Sequence, residues 1–359
     1  MNKYFGIIVS SFLFNRIKKQ LTTNECILFY EEACKQYGFI PCYFRIVDID
    51  LTKKNMKALV LNEKDEYVFR TITKPEVIHN RGLGFLKREQ KKIETLQRKG
   101  INIFNECTQY SKIAINNILK NNGSIKPHMP DTGLANKKNF YEFLSKYKNI
   151  IIKPNNGSLG KGIMTVSHKK NDICSCNILG ESKVFSKKKP LPLVVDQYIN
   201  PATNIIQQRI PLATYKDLPF DIRVSVQKNK HGVWQVSGLV AKVAKKGLYV
   251  TNVASGGKCY PLETVLSDND KLNAEEIKEA IKKLSLNVSV QLDNHLPHIA
   301  DLGLDIGITE NGYPMLIECN FRDLRYSFRE AGLIDEWKRT YFKPVEYAHF
   351  LLERMKIDN

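Results

Sequence analysis

The hydrophobic positions of the first 110 residues follow strand and helix spacing in turn, and they predict a small α/β unit. Apolar residues at helical spacing predict helices over 24–37 and 85–99, each of which ends before a glycine. Two neighbouring apolar runs predict a hairpin that turns at 63–66. The predicted strands of this unit are, in chain order, FGIIVSS, FIPCYFRI, KALVLN, EYVFRTI, EVIHNRG and INIFN.

A second unit begins near Ser111, which is placed to cap the N-terminus of the predicted helix KIAINNILKNN. A further helix is predicted over 137–147, and the strand that starts at Ile150 leads into a glycine-rich turn. Residues 168–193 are polar and rich in lysine, so they predict an insertion or a surface loop.

Long β-type runs predict a third unit from about residue 219 to the end of the sequence. These runs are DIRVSVQK, GVWQVSGLVAKVA and YPMLIECN. Amphipathic spacing predicts a helix over 274–290, and the segment 335–355 is also predicted to be helical. The predicted units are 1–110, 111–218 and 219–359.

The composition is that of a globular protein kept in a reducing compartment. The chain has 359 residues, of which 43% are hydrophobic and 26% are charged, and this balance excludes wholesale disorder. No apolar run is long enough to span a bilayer, and the apolar start FGIIVSSFLF lacks a small-residue cleavage site, so we expect a cytoplasmic protein without a membrane segment. The eight cysteines include no CxxC pair, and a disulfide scaffold is not expected.

The formal net charge of +18 points to an anionic partner, which is a nucleic acid, an anionic polymer or a small anionic substrate. Lysines are spread along the chain, and the sequence contains no RNA-recognition motif, zinc finger or arginine-rich segment. We therefore do not expect a nucleic-acid partner.

The first segment with chemistry is IIIKPNNGSLGKG, residues 150–162. A strand delivers Lys153 and opens into a loop that carries Gly157, Gly160 and Gly162. Backbone N–H groups of such a loop can wrap an anion, and a nearby cation completes a phosphate site. The sequence is not a Walker A motif, and an ordinary surface hairpin with a glycine-rich turn is the alternative.

The second segment is DLGLDIGITENGYPMLIECN, residues 301–320. Two strands joined at Asn311-Gly312 would bring Asp305 near Glu318 and Asn320. Carboxylate and amide oxygens suit Mg²⁺. Edge charges on an exposed hairpin are the alternative, but Glu318 interrupts an apolar run, where an acid must be paired or metal-bound.

The third segment is FDIRVSVQK, in which Arg223 lies inside an apolar strand. A guanidinium fork there can bind phosphate or carboxylate, or form a salt bridge with a neighbouring acid. The segment YVTNVASGGK, residues 249–258, reads as a turn on its own.

Taken in order, these segments resemble the ATP-grasp superfamily, and within it the YheC/YheD endospore coat-associated group. The resemblance covers the chain from about Lys74 onward. It implies an ATP-grasp fold, in which a pre-ATP-grasp α/β domain precedes two α+β subdomains that hold ATP between them. The matching segments are PEVIHNR, the helix beginning at Lys112, IIKPNNGSLGKGI, IIQQRIPLATYKDLPFDIRVSVQK, GVWQVSGLVAKVA, TNVASGGK and DLGLDIGITENGYPMLIECN.

The resemblance also implies roles for single residues. Lys112 and Lys153 would contact the ATP phosphates, and Arg223 would face the triphosphate or an acyl phosphate. IIQQRI is preferred as the hinge strand that reads adenine, with VVDQYI as its rival. The remaining implied residues are Gly157, Ser158, Gly160 and Gly162 in the phosphate loop, Gln207, Gln208, Arg209 and Ile210 in the hinge, and Asp305, Glu318 and Asn320 as Mg²⁺ ligands.

The activity implied by the resemblance is an ATP- and Mg²⁺-dependent, ADP-forming carboxylate–amine ligase that works through an acyl phosphate. Its substrates would be an anionic amino acid or peptide and an amine. Lys153, Arg223 and Arg325 are the predicted catalytic residues. Candidate substrate-binding residues are Asn80, Arg81, Arg322, Arg325 and Arg329.

This chain departs from the family pattern at several positions. Lys242 stands where the group usually has arginine, Gln208 stands where many relatives have glutamate, and no Pro-Gly follows Asn320. These changes leave two alternatives open: a nucleotide-binding structural or spore-coat assembly protein without turnover, and an ATP-grasp phosphotransferase. Spore association follows from the resemblance as a possible location.

Overall fold

The structure is a computed structural model. It describes residues 3–22, 24–83, 87–157, 160–169, 173–178, 181–186, 193–269 and 272–357.

The first unit is a mostly parallel sheet with the strand order β4-β3-β2-β1-β5-β6. Strand β1 pairs in parallel with β2 and β5, and β3 and β4 form the predicted hairpin. The strands are β1 (Tyr4–Ile8), β2 (Ile40–Phe44), β3 (Asn55–Leu61), β4 (Tyr67–Thr73), β5 (Val77–Asn80) and β6 (Asn102–Phe104). The helices are α1 (Ser11–Lys18), α2 (Ile27–Gln36) and α3 (Lys87–Arg98).

Helix α1 was not predicted, because FGIIVSSFLF reads as one apolar run. The strand ends at Ile8, and Ser10 caps the new helix by accepting a hydrogen bond from the backbone N–H of Leu13 at 3.3 Å. Leu13 is buried, whereas the ring of Phe12 is 73% exposed. The chain therefore leaves the sheet directly after β1 and exposes the ring of Phe12 to solvent.

Glu31 on α2 gives the first unit a pH-dependent stability. Its carboxylate accepts hydrogen bonds from the hydroxyls of Tyr43 at 3.1 Å and Tyr67 at 2.9 Å, and burial raises its pKa to about 7. Because the pKa in the folded state is above that of the unfolded chain, stability is fully present below about pH 4.5 and is lost as the pH rises through 7. We expect the free energy of unfolding to fall by on the order of 2 kcal/mol between pH 5.5 and 8.5 relative to Glu31→Gln. Urea unfolding at the two pH values measures this difference. Glu63→Gln, at an exposed position, should show the same pH dependence of the free energy of unfolding as the wild type. The wild-type pH dependence in Glu31→Gln would contradict the assignment.

The second unit is an antiparallel sheet with the order β11-β10-β9-β8-β12-β7. Ser111 caps α4 as predicted, since its hydroxyl accepts from the backbone N–H of Ala114 at 3.3 Å. The strands are β7 (Thr132–Leu134), β8 (Asn149–Pro154), β9 (Met164–His168), β10 (Ile173–Ile178), β11 (Glu181–Ser186) and β12 (Asn204–Gln208). The helices are α4 (Lys112–Leu119), α5 (Lys137–Tyr147) and α6 (Leu193–Asp196).

The prediction of a surface loop over 168–193 was wrong for its described part. β10 and β11 form two strands of this sheet, and Cys174 and Cys176 are buried in its core. In an antiparallel sheet with one solvated face, polar residues alternate with buried ones, and two small cysteines supply too weak a hydrophobic signal to reveal that alternation.

The third unit has the strand order β16-β15-β14-β17-β18, with β13 paired to β14. One face of this sheet is covered by α8, whose buried side chains recur at helical spacing. The strands are β13 (Thr214–Tyr215), β14 (Leu218–Lys228), β15 (Trp234–Val243), β16 (Lys258–Tyr260), β17 (Asp301–Ile308) and β18 (Pro314–Asn320). The helices are α7 (Leu262–Leu266), α8 (Ala274–Asp293), α9 (Tyr326–Glu330) and α10 (Ile334–Ile357).

Helix α10 connects the third unit to the first. It contacts β14 and β15 on one side and α2 and β5 on the other, and Tyr341 and Val345 share a hydrophobic cluster with Phe5 and Val77. The unit boundaries at 110 and 218 stay predictions. Helix α10 belongs to the third unit but also packs on the first. Among the described helices, none combines the length and apolarity needed to cross a bilayer.

Candidate functional site

Glu318 lines three adjoining cavities, of which the first two lie between the second and third units and the third lies within the third unit. The largest has a volume of about 740 Å³ and extends to the first unit. The other two, of about 80 Å³ and 50 Å³, lie beside the glycine-rich loop and beside Asp305. Concave sites at the junction of several units are preferred places for ligands.

The two predicted phosphate-binding lysines come together at this junction. Lys153 lies near the end of β8 and is buried, and Lys112 is the first residue of α4. The Lys112 Nζ donates to the carbonyl oxygen of Gly157 at 2.6 Å and lies 3.2 Å from Glu318 Oε1. Burial, helped by the charge of Lys112, lowers the pKa of Lys153 to about 8, although Glu318 and Asp305 oppose the shift. A buried, under-neutralised ammonium of this kind favours an anionic ligand.

The glycine-rich loop reaches the same place, and Ser158 lies outside its described residues. Gly157 and Gly160 line the second cavity. Gly160 has a φ of +69°, and a Cβ there would lie 2.7 Å from the side chain of Asn252. Gly162 has a φ of +70°, and a Cβ there would lie 3.0 Å from the ring of Pro154. Only glycine fits this close approach, which brings the loop against the segment 250–252 that was read as a simple turn.

The predicted hinge IIQQRI lies along the second cavity. Its rival VVDQYI overlaps the short helix α6. Gln207 and Gln208 close β12, and Gln207 donates to the hydroxyl of Thr132 at 2.9 Å. The Tyr249 hydroxyl donates to the carbonyl oxygen of Ile210 at 2.8 Å, and the guanidinium of Arg209 lies 4.4 Å from the centre of the Tyr249 ring. The apolar side chains that line this cavity are Ile151, Ile163, Ile210, Leu212 and Ile317.

Strands β17 and β18 place the predicted metal ligands side by side. Asp305 pairs with Glu318, and the Asn320 side chain donates to Asp305 Oδ2 at 3.2 Å. The register shifts by one residue at Ile317, so that both Ile317 and Glu318 line the first two cavities. Two carboxylates and an amide oxygen are ligands that fit Mg²⁺. Within the described ranges, no group of three or more Asp, Glu, His or Cys residues is arranged to hold a metal ion.

Asp305 is held ionised by two cations. Arg223 donates to it through Nε at 2.9 Å and Nη2 at 3.1 Å, and the Lys242 Nζ lies 2.7 Å from its Oδ1. Burial alone would raise the pKa of Asp305, but Arg223 and Lys242 outweigh burial and hold this pKa well below its usual range. Lys242, where the family usually has arginine, also lies 3.1 Å from Asp221 and so connects two carboxylates.

The structure does not bring Arg325 to the site. Its side chain is fully buried, it pairs with Asp301, and its Nη1 donates to the hydroxyl of Tyr30 at 3.2 Å. Arg81 is likewise buried and donates to Glu25 at 2.5 Å. The segment after β18 turns into the junction with the first unit, and this places Arg325 in the protein core instead of the cavity.

Two other candidate substrate residues also do not line these cavities. The Asn80 side chain is buried and donates to the carbonyl oxygen of Glu106 at 3.1 Å. Arg329 pairs with Glu330 and lies over the ring of Trp337. Arg322 alone of the three arginines after β18 lines the largest cavity.

Sequence reasoning missed the residues of the first unit that line the largest cavity. Phe12, Arg16 and Glu25 lie on its wall, together with Leu83. The one available signal was the apolar triplet FLF, residues 12–14. It follows two serines, at which the strand could already have ended.

The fold and the cleft define a protein of the ATP-grasp class. Its structure is similar to that of the D-alanine–D-alanine ligase from Bacillus anthracis complexed with ATP, with a TM-score of 0.55, 15% sequence identity and 99% coverage of both chains. An identity this low shows the fold alone. The sequence profile of the YheC/D-like ATP-grasp family matches residues 100–351, and the chain belongs to this family.

Two curated relatives come from Bacillus subtilis (strain 168). The chain is 30% identical over 261 residues to the endospore coat-associated protein YheD, which covers 69% of this chain and 55% of YheD. It is 22% identical over 237 residues to the endospore coat-associated protein YheC, with 65% of each chain covered. The chain thus spans between about half and two thirds of the length of these relatives.

Proposed function

We propose that this protein is an ATP- and Mg²⁺-dependent, ADP-forming ligase that joins a carboxylate to an amine. The observation that carries the proposal is that Lys112 and Lys153 from the second unit meet Glu318 from the third at one cleft. Cations that attract a triphosphate and oxygens that suit Mg²⁺ are what phosphoryl transfer requires of a protein. Membership of the YheC/D-like ATP-grasp family supports it.

The nucleotide would lie between the second and third sheets. The apolar side chains beside Gln207–Ile210 would hold adenine, and Lys112, Lys153 and the backbone of the glycine-rich loop would bind the phosphates. Asp305, Glu318 and Asn320 would hold Mg²⁺, which when bound neutralises phosphate oxygens. Arg223 would keep Asp305 ionised and oriented.

The proposed reaction has two steps. A carboxylate oxygen attacks the γ-phosphorus of ATP, the bond to the β-phosphate oxygen breaks, and ADP leaves. The amine then attacks the acyl carbon, loses a proton and displaces inorganic phosphate. Lys153 would hold the transferring phosphoryl group, and its burial on the cavity wall next to Lys112 and Glu318 supports this role.

The relatives' association with the endospore coat supports one alternative, a nucleotide-binding assembly protein without turnover. The full set of Lys153, Asp305, Glu318 and Asn320 favours turnover, because a purely structural role does not require it. We propose a cytoplasmic site of synthesis, with spore association by analogy to the relatives.

Thermal unfolding with and without Mg-ATP tests the nucleotide site. At about 100 times its Kd, the ligand should stabilise the wild type by about 2.7 kcal/mol. Lys153→Ala should lose most of this shift, since it removes a cation from the phosphate site, whereas the exposed Lys138→Ala should keep it. The absence of a shift in the wild type would refute the nucleotide site.

Measurement of ADP release then separates the three activities. ADP that appears only with a carboxylate and an amine supports the ligase. A stable phosphorylated hydroxyl product would establish the phosphotransferase instead, and ATP binding without ADP release under any substrate would establish the assembly protein.

A further inference from the structure

The largest cavity extends beyond the proposed nucleotide cleft to residues of the first unit. One wall carries Lys112, Lys153 and Gln207 of the nucleotide cleft. A second group of lining residues, which we call the outer wall, comes from the first unit and from the segment after β18 that contacts it: Phe12, Arg16, Glu25, Leu83 and Arg322. A total volume of about 740 Å³ is in the range of sites that enclose a whole organic ligand.

The lining of this cavity is mainly apolar, and two apolar side chains of the outer wall are open to solvent. The side chains of Phe12 and Leu83 are 73% and 52% exposed, although both lie beside a cavity. Exposed apolar groups that rim a concave site mark a place where an apolar ligand is buried.

Amide side chains also line this cavity, among them Asn24, Gln109 and Asn116. An alternation of apolar surface with amide donors and acceptors matches a peptide, whose side chains are apolar and whose backbone needs hydrogen bonds. A fatty acyl chain would offer no partner to the amides of Asn24 and Asn116, whereas Gln109 already donates to the carbonyl oxygen of Asn156 at 3.0 Å. A polyanion would meet too much apolar surface.

Arg322 is a charged residue of the outer wall, and its buried Nε has no hydrogen-bond partner among the described residues. Its side chain is 11% exposed, and it makes no hydrogen bond with the described residues. Its one ion-pair contact in this part of the chain is 3.5 Å long, from Nη2 to Glu25 Oε1. A buried guanidinium with free donors is suited to bind a carboxylate through its fork.

Glu25 does not neutralise Arg322. The same Oε1 atom accepts a hydrogen bond from Arg81 at 2.5 Å, and Oε2 accepts from the hydroxyl of Tyr341 at 3.2 Å. Glu25 therefore orients Arg322, but the Glu25 carboxylate is neutralised mainly by Arg81. The excess positive charge of this group faces the cavity, two residues after Asn320 in the chain.

We propose that the acid activated by this protein is a short apolar peptide and that Arg322 binds its terminal carboxylate next to Asn320. The inference rests on the proposed ligase function and names the substrate class for it. Glu25 is a positioning residue that acts through Arg322.

Hydroxylamine trapping tests the inference with a defined probe. The probe is a pool of tripeptides built from Leu, Phe, Val and Ala with free carboxyl ends, beside the same pool with amidated ends and beside free leucine and glycine. Hydroxylamine attacks the acyl carbon of the acyl phosphate, phosphate leaves, and a hydroxamate forms that is measured directly. Binding of the two pools to the protein with Mg²⁺ and a non-hydrolysable ATP analogue is measured by calorimetry.

We expect the free-acid pool to bind and to yield hydroxamate, and the amidated pool to do neither. Arg322→Gln should raise the KM for the peptide by about 10- to 100-fold, the effect of losing a charge-assisted fork, and leave the KM for ATP unchanged. Arg322→Lys should fall in between, and Arg329→Gln, which removes an arginine outside the cavity, should behave as the wild type. Thermal unfolding confirms that each variant is folded.

Three results would overturn the inference and leave the ligase in place. These are equal binding of the amidated pool, an unchanged peptide KM in Arg322→Gln, and hydroxamate from free leucine or glycine but not from the tripeptides. ATP-dependent stabilisation with no ADP or hydroxamate from any acid would instead refute the ligase function itself, and the substrate assignment with it.

Discussion

Glu318→Gln is expected to lower Mg²⁺-dependent ADP formation by on the order of 100-fold or more while the protein stays folded. The substitution keeps the shape of the side chain and removes its charge. Glu318 lines all three cavities and lies 3.2 Å from the Lys112 Nζ, so its charge acts on both the proposed metal and the phosphate-binding lysine. Initial rates over a range of Mg²⁺ concentrations measure the effect.

Glu310→Gln is the matched control, because Glu310 is exposed in the turn of the same hairpin and should leave the rate unchanged. Partial rescue of Glu318→Gln by a higher Mg²⁺ concentration would agree with a metal ligand. Full turnover of Glu318→Gln at low Mg²⁺ would remove Glu318 from the metal site.

Arg325→Met is expected to reduce the free energy of unfolding by on the order of 3 kcal/mol, near the lower end for breaking a buried ion pair, because the Asp301 carboxylate keeps Arg81 as a second cation. Arg325 pairs with Asp301, and its guanidinium lies 4.7 Å from the centre of the Tyr341 ring. Methionine fills similar space but leaves the Asp301 carboxylate with Arg81 at 3.3 Å and His79 at 3.1 Å. Urea unfolding measures the loss.

Arg329→Gln should change the free energy of unfolding by less than about 0.5 kcal/mol, as surface substitutions do. The Arg325→Met protein that remains folded should still bind Mg-ATP, because Arg325 is buried away from the cleft and reaches Asp305 only through Asp323 and Arg223. A normal free energy of unfolding combined with a large loss of catalysis would return Arg325 to a catalytic role.

Arg325 and the metal residues belong to one chain of buried ion pairs that crosses the molecule. Asp305 pairs with Arg223, which also donates to Asp323, and the chain continues to the first unit. Such a chain ties the orientation of Asp305 to the packing of the first unit against the third, since each carboxylate is shared by two cations. In order, its members are Lys242, Asp305, Arg223, Asp323, Arg325, Asp301, Arg81 and Glu25.

Local pattern was sufficient for most of the secondary structure. The hairpin β3–β4, the Ser111 cap of α4 and the long helix α8 were all predicted, because turn residues, capping residues and helical spacing act over a few positions. The pairing of Asp305 with Glu318 was predicted for the same reason, since a short turn connects their strands. The wrong predictions at α1 and β10 also have a local cause, because FLF and the segment around Cys174 and Cys176 have ambiguous hydrophobic patterns.

By itself the sequence determined the class of fold, the family and the residue types of a phosphate and Mg²⁺ site, since these depend on motifs that are contiguous in the chain. The tertiary structure alone decided which charges face open space. Arg322 and Arg325 are three residues apart, yet one lines the cavity and the other is buried with Asp301. That difference arises where the third unit packs on the first, from Glu25, Tyr30 and Arg81, which lie more than 200 residues away along the chain. Long-range packing sets the surroundings of a side chain, and no local pattern records it.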